Sequence, residues 1–162
     1  MVAADAERYY AQRGAAMREG QWIAMLNRLI ETCSDGSDGY ETAAQTVPDL
    51  KLKQILRRLA LERRVFLEEL RQEVVRLGGR PIDHGTLRGA LHRGWMHATS
   101  AGTLSAGGVL NEISFGERTS FKHYEDALRK ELPADLKSLV AHHCLRIAQV
   151  RDLIQELAEI HG

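Results

Sequence analysis

The residues with the clearest potential for chemistry are three glutamates and a glutamine on separate amphipathic segments. Bundles that hold a pair of iron or manganese ions take one Glu from each of two helices and a Glu-x-x-His pair from each of the other two. The carboxylates bridge the ions and balance their charge, and the imidazoles complete the coordination. Counted from the predicted hairpin turns, four polar residues lie at similar heights and are the candidate metal ligands: Glu31, Glu62, Glu117 and Gln149.

Histidines are missing from the positions where such a site needs them. Val65 stands three residues after Glu62, and Asp152 stands three residues after Gln149. A glutamine in place of one glutamate, with no imidazole at either position, weakens the affinity expected for a metal pair. Three interpretations of Glu62 and Glu117 stay open: carboxylates held by Arg, Tyr or water inside the bundle, ligands of a divergent iron or manganese site, or part of a small-molecule pocket.

Helix phase ranks the four candidates. Glu117 is in phase with the apolar residues of its segment, and Glu62 lies three residues after Leu59, so both are predicted to face the core. An unpaired carboxylate on a core face is costly, so both need partners. Glu31 and Gln149 each lie one residue away from an apolar row and are weaker candidates.

The histidines do not suggest a second metal site. Neither His142 with His143, which are adjacent, nor His92 with His97, which are five residues apart, shares one helix face. His143 alone is predicted to point inward, as a core residue near Tyr124. The chain has no nucleophile elbow, phosphate loop, zinc spacing or dinucleotide fingerprint. We therefore expect a non-enzymatic protein with no cofactor, or with iron or manganese if the metal interpretation holds.

Two related segments define the predicted fold. Pro48-Asp49-Leu50-Lys51 and Pro133-Ala134-Asp135-Leu136-Lys137 each end one amphipathic stretch and begin another. Apolar residues recur three and four positions apart on both sides, which predicts two helical hairpins. The apolar row of the first helix continues through Gly36 and Gly39, so one unbroken helix is expected there rather than a loop. The predicted fold is an all-α, ferritin-like four-helix bundle.

The region between the hairpins predicts how they are connected. A short helix over about Thr86 to Ser100 would carry the chain along much of the bundle, which makes the second and third main helices parallel. The predicted organisation is an N-terminal extension over 1–21 and a bundle over 22–162, made of a hairpin over 22–78, a crossover over 79–106 and a hairpin over 107–161.

Composition limits the partners and the compartment. Twenty-two basic and twenty-two acidic residues leave no net charge, so nucleic acid and anionic membranes are not expected partners. Basic clusters such as Arg63-Arg64 lie beside glutamates, the pattern of a solvated helix face. Cys33 and Cys144 fall in apolar helical stretches, as reduced, buried cysteines do, and no segment resembles a signal peptide or a membrane span. These features predict a cytoplasmic protein.

Several motifs resemble an uncharacterised bacterial family of four-helix bundles in the ferritin-like group. The resemblance covers about residues 22–160 and implies the bundle fold, in a domain of unknown function sometimes discussed near stress-response proteins. The motifs are Leu29-Ile30-Glu31-Thr32-Cys33, Asp35-Gly36, Gly39-Tyr40, Leu77-Gly78-Gly79, Gly89-Ala90-Leu91-His92-Arg93-Gly94-Trp95-Met96, Gly116-Glu117 and Tyr124-Glu125-Asp126-Ala127-Leu128.

Two functional hypotheses follow from the residues and the resemblance. The first is a non-enzymatic bundle with a binding or assembly role that is related to stress, and a homodimer or higher homo-oligomer fits it. The second is a divergent metal-binding bundle that uses the carboxylates of Glu31, Glu62 and Glu117.

Overall fold

The described part of the protein consists of four helices. The structure is a computed structural model that describes residues 2–83 and 105–162, and these ranges contain no strand. The all-α four-helix prediction is confirmed, whereas the predicted crossover helix lies outside the described residues. The helices are α1 (Val2–Thr46), α2 (Leu50–Arg76), α3 (Ala106–Leu128) and α4 (Ala134–Ile160).

The first helix is unbroken through its glycines, as predicted. It begins at Val2, so the segment predicted as an N-terminal extension is part of the same helix. Tyr9, Tyr10 and Met17 on this segment are exposed, and the first core residue of α1 is Met25. The bundle is therefore built from the second half of α1.

Local side-chain chemistry fixes where α2 begins and ends. Asp49 accepts a hydrogen bond from the Leu52 amide at 2.7 Å and caps the helix as predicted. At the other end Gly78 has a φ of 74°, a conformation that glycine adopts at little cost. The amides of Gly78 and Gly79 donate back to the Val75 and Val74 carbonyls, which closes a Schellman turn.

The helix directions follow from the residue pairs that meet between the hairpins. Rising residue numbers on α1 pair with falling numbers on α3, and the same holds for α2 with α4, so both pairs are antiparallel. Because each hairpin is also antiparallel, α2 and α3 run parallel, which agrees with the predicted long crossover. The pairs are Cys33 with Tyr124, Tyr40 with Glu117, Glu62 with Arg146 and Arg76 with Asp135.

The core has two apolar clusters. A polar layer lies between them and is centred on Arg63 and Glu117. One cluster centres on Leu26, Phe66 and Ile147, and the other on Leu56, Leu110 and Ile154. No helix in the described ranges is long and apolar enough to cross a membrane. The buried polar residues, most of them in the layer, are Thr32, Ser37, Arg63, Ser114, Glu117, Ser120 and His143.

Candidate functional site

A buried ion pair occupies the centre of the polar layer. Nη2 of Arg63 on α2 donates to Oε2 of Glu117 on α3 at 2.5 Å, and both side chains are less than 5% exposed. Burial alone would lower the pKa of Arg63, but the charge of Glu117 raises it overall, so the guanidinium stays charged. Nη1 of Arg63 has no hydrogen-bond partner among the described residues, and we expect an ordered water there.

Tyr40 ties the first helix to this ion pair. Its hydroxyl donates to Oε1 of Glu117 at 2.7 Å. Burial and the adjacent Glu117 charge raise the pKa of Tyr40 well above its usual value, so the hydroxyl keeps its proton and remains a donor. Both carboxylate oxygens of Glu117 therefore have partners, from α1 and from α2.

A second hydrogen-bonded chain links the core to the surface. Cys33 Sγ lies 3.1 Å from the Tyr124 hydroxyl, which lies 3.4 Å from Nδ1 of His143. Nε2 of His143 lies 2.6 Å from Glu69, whose side chain is 43% exposed. The His143 ring is fully buried and stacks on Phe66 with centroids 3.9 Å apart. His143 is therefore a core residue near Tyr124, as predicted.

The cysteines give no sign of a reactive thiol. Cys33 and Cys144 are both free and buried, as the sequence predicted. Burial raises the pKa of each thiol, which disfavours the nucleophilic thiolate. The chain from Cys33 to Glu69 is thus a structural connection between a buried thiol and a carboxylate near the surface.

The four predicted ligands do not converge. Glu62 lies on the α2–α4 side, where Arg146 binds both of its oxygens at 2.6 and 3.1 Å. Arg146 also contacts the Gln149 side chain at 3.3 Å, so Glu62 and Gln149 lie near each other. Glu31 is half-buried, and its side chain has no ion pair within the described ranges. Glu117 is separately engaged by Arg63.

Arg63 corrects the prediction of a solvated basic face. It is 3% exposed, whereas the neighbouring Arg64 side chain is 54% exposed. The sequence spacing already indicated that Arg63 faces the core, because Arg63 follows Leu59 by four residues and precedes Phe66 by three. Arg63, and not Glu62, is the charged residue of α2 that points into the core.

A groove opens between α1 and α3 and reaches this polar layer. It has a volume of about 330 Å³, and Tyr40 and Glu117 form part of its wall. Gly36, Gly39 and Gly116 also line it, so the helix backbone is bare at three positions of its wall. A Cβ added at Gly39 or Gly116 would meet no described atom within 4 Å. The sequence could not reveal this groove, which depends on how the two helices are rotated.

A buried threonine and a half-buried histidine complete the groove. His123 and Thr32 line it, and Nδ1 of His123 lies 2.9 Å from the Thr32 hydroxyl. The Thr32 hydroxyl donates to the Arg28 carbonyl at 3.0 Å. Burial, and next the positive charge of Arg28, lower the pKa of His123, so its imidazole is neutral at neutral pH.

The buried ion pair makes a prediction about stability. Arg63→Met leaves Glu117 buried without its cation, and we expect a loss of about 3–5 kcal/mol in the free energy of unfolding. The double variant Arg63→Met/Glu117→Gln should recover part of that loss, because both charges are gone. Arg146→Met, at a pair whose side chains are 39% and 23% exposed, is the matched control and should cost about 0–1 kcal/mol. Urea denaturation measures all three, and equal costs for the two arginine variants would contradict this account.

The buried imidazole of His143 and the half-buried imidazole of His123 make a prediction about pH. Burial is the largest cause that lowers the pKa of both His143 and His123 below 6.5, so the unfolded chain takes up their protons first as pH falls. Stability should be constant above about pH 6.5 and should decline below it, by at most about 1.4 kcal/mol per pH unit for each histidine. His143→Gln should flatten the slope of unfolding free energy against pH. The exposed neighbour variant His142→Gln is the control, and an unchanged slope in His143→Gln would refute the assignment.

Comparison with known proteins places the chain in a family but gives it no activity. No curated protein matches the chain. A family model described as "Domain of unknown function (DUF2383)" matches residues 21–130, which is more than half of the chain. The match begins where α1 enters the bundle and includes the polar layer and the groove. The predicted membership in an uncharacterised family is confirmed: the chain belongs to the DUF2383 family.

Proposed function

We propose that this protein is a non-enzymatic binding bundle and that the groove between α1 and α3 is its binding site. The observation that carries the proposal is the open groove of about 330 Å³, lined by helical glycines. Small-molecule sites are commonly concave, mostly apolar and equipped with a few fixed polar groups. This groove combines Ile113 and Phe115 with the polar groups of Tyr40, Glu117 and His123.

Gly39 and Gly116 support a binding role because no packing contact with described residues requires glycine there. Glycine inside a helix costs about 1 kcal/mol relative to alanine. At Gly79 and Gly107 a Cβ would approach neighbouring atoms to 2.8 Å, so packing explains those glycines. Gly39 and Gly116 face open space among the described residues. Their cost is accounted for if a ligand approaches the backbone at these positions.

Hydrogen bonds within the polar layer hold two side chains of the groove wall in place. Tyr40 and Glu117 line the groove and are fixed by hydrogen bonds to each other and to Arg63. Because these polar groups are already ordered, binding a ligand costs less conformational entropy. A ligand in the groove would therefore meet a rigid wall.

The donor set does not fit the alternative of a metal pair. Arg63 and Tyr40 occupy the oxygens of Glu117, and Arg146 occupies those of Glu62. In the described ranges, no group of three or more His, Cys, Asp or Glu side chains is placed to hold a metal ion. The contacts instead match the interpretation in which Arg and Tyr hold these carboxylates. A stress-related role and self-assembly stay predictions.

The proposed site makes a prediction about where small molecules bind. In ¹H–¹⁵N spectra of the full chain with a mixed library of neutral and charged fragments, shifts should concentrate on amides of α1 and α3 around Gly39 and Gly116. Gly116→Leu places a side chain in the open space and should remove these shifts. Gly20→Leu is the matched control, because Gly20 also faces open space on α1 but does not line the groove.

Two results would count against the proposed site. The first is a set of shifts that clusters elsewhere on the bundle and leaves the groove amides unmoved. The second is equal loss of binding in Gly116→Leu and Gly20→Leu, which would attribute the effect to the helix rather than to the groove.

A further inference from the structure

The hydroxyl groups of the groove have few hydrogens left to donate. Thr32 donates to the Arg28 carbonyl at 3.0 Å, and Thr119 donates to the Phe115 carbonyl at 3.1 Å. Tyr40 donates to Glu117. Three of the four hydroxyls that line the groove are therefore committed within the protein. A ligand that needs donors from these side chains finds little to bind.

The imidazole of His123 adds an acceptor. The ring tautomer with the proton on Nδ1 satisfies the contact with Thr32 while the Thr32 hydroxyl donates to the Arg28 carbonyl, and we assign that tautomer to His123. Nε2 of the neutral ring then keeps its lone pair. His123 can accept a hydrogen bond from a ligand and cannot supply a positive charge at neutral pH.

The charged side chains of the groove have one sign. Asp35, Glu112 and Glu117 line it, and no Lys or Arg is among the lining residues that the structure describes. Arg63 balances Glu117, but exposed Glu112 forms no ion pair with a described residue. The exposed carboxylate of Glu112 attracts cations and repels anions at its end of the groove.

The remaining surface is apolar and aromatic. Ile113, Phe115 and the ring of Tyr40 line the groove beside the bare backbone of the glycines. The ring of Phe115 already lies against a cation, because the guanidinium carbon of Arg118 is 5.9 Å from its centroid. From these features we infer that the groove binds a small organic cation, an ammonium group carried on an apolar body, with Glu112 accepting its hydrogen bonds. This inference rests on the proposed binding function and adds the class of ligand.

Three probes of similar shape and different charge test the inference. The full chain, labelled with ¹⁵N, is titrated near neutral pH with 2-phenylethylamine, 2-phenylethanol and 3-phenylpropanoate, and the Gly39 and Gly116 amides are followed. The amine should saturate these shifts with a millimolar dissociation constant. The alcohol and the carboxylate should bind at least about tenfold more weakly, because neither brings a positive charge to the carboxylate of Glu112.

Variants separate charge recognition from simple filling of the groove. Glu112→Gln should weaken the amine several-fold and reduce its dependence on salt, with no effect on the alcohol. Glu159→Gln, an exposed glutamate on α4 away from the groove, is the matched control. Gly116→Leu should block all three probes.

The outcomes distinguish the two proposals. If the alcohol or the carboxylate binds the groove as tightly as the amine, the inferred ligand class is wrong while the binding site stands. An amine affinity that is unchanged by Glu112→Gln and by salt overturns charge recognition in the same way. If none of the probes shifts the groove amides at about 10 mM, the proposed binding function fails together with the inference.

Discussion

The structure depends on one buried ion pair. Arg63 on α2 and Glu117 on α3 belong to different hairpins, so their contact fixes the rotation and height of one hairpin against the other. Removing two charges from water costs several kcal/mol per ion, which only good geometry and additional hydrogen bonds offset. Tyr40 supplies such a bond from α1. Three helices thus meet at one carboxylate, and any sliding between them would leave a charge unpaired in the core.

The same pair changes what the middle of the bundle can do. In carboxylate bundles a metal pair supplies the positive charge that inward-facing glutamates require. Here the guanidinium of Arg63 supplies it to Glu117, and Arg146 supplies it to Glu62 nearer the surface. The space left for a ligand lies to one side, between α1 and α3, where Gly39 and Gly116 replace side chains with open volume. Binding chemistry is therefore expected at the groove and not within the layer.

The sequence predicted most of the fold because local signals determine it. Asp49 and Gly78 fixed the ends of α2, and the apolar row through Gly36 and Gly39 predicted an unbroken α1. The site was harder, since its geometry depends on phase and rotation. An error of one residue on α2 exchanged Glu62 for Arg63 as the inward charge. The groove arises from the relative placement of two helices from different hairpins, which no periodicity within one helix encodes.

The most direct test of the central claim is the NMR spectrum of the Arg63 guanidinium. In protein labelled with ¹⁵N-arginine, the buried side-chain NH signals of Arg63 should exchange slowly with water, because the side chain is 4% exposed and bound to Glu117. With one equivalent of paramagnetic Mn²⁺ these signals should stay sharp, since the guanidinium fills the place of a cation. Selective broadening of the Arg63 side-chain signals by Mn²⁺ would show metal in the polar layer and would contradict the account.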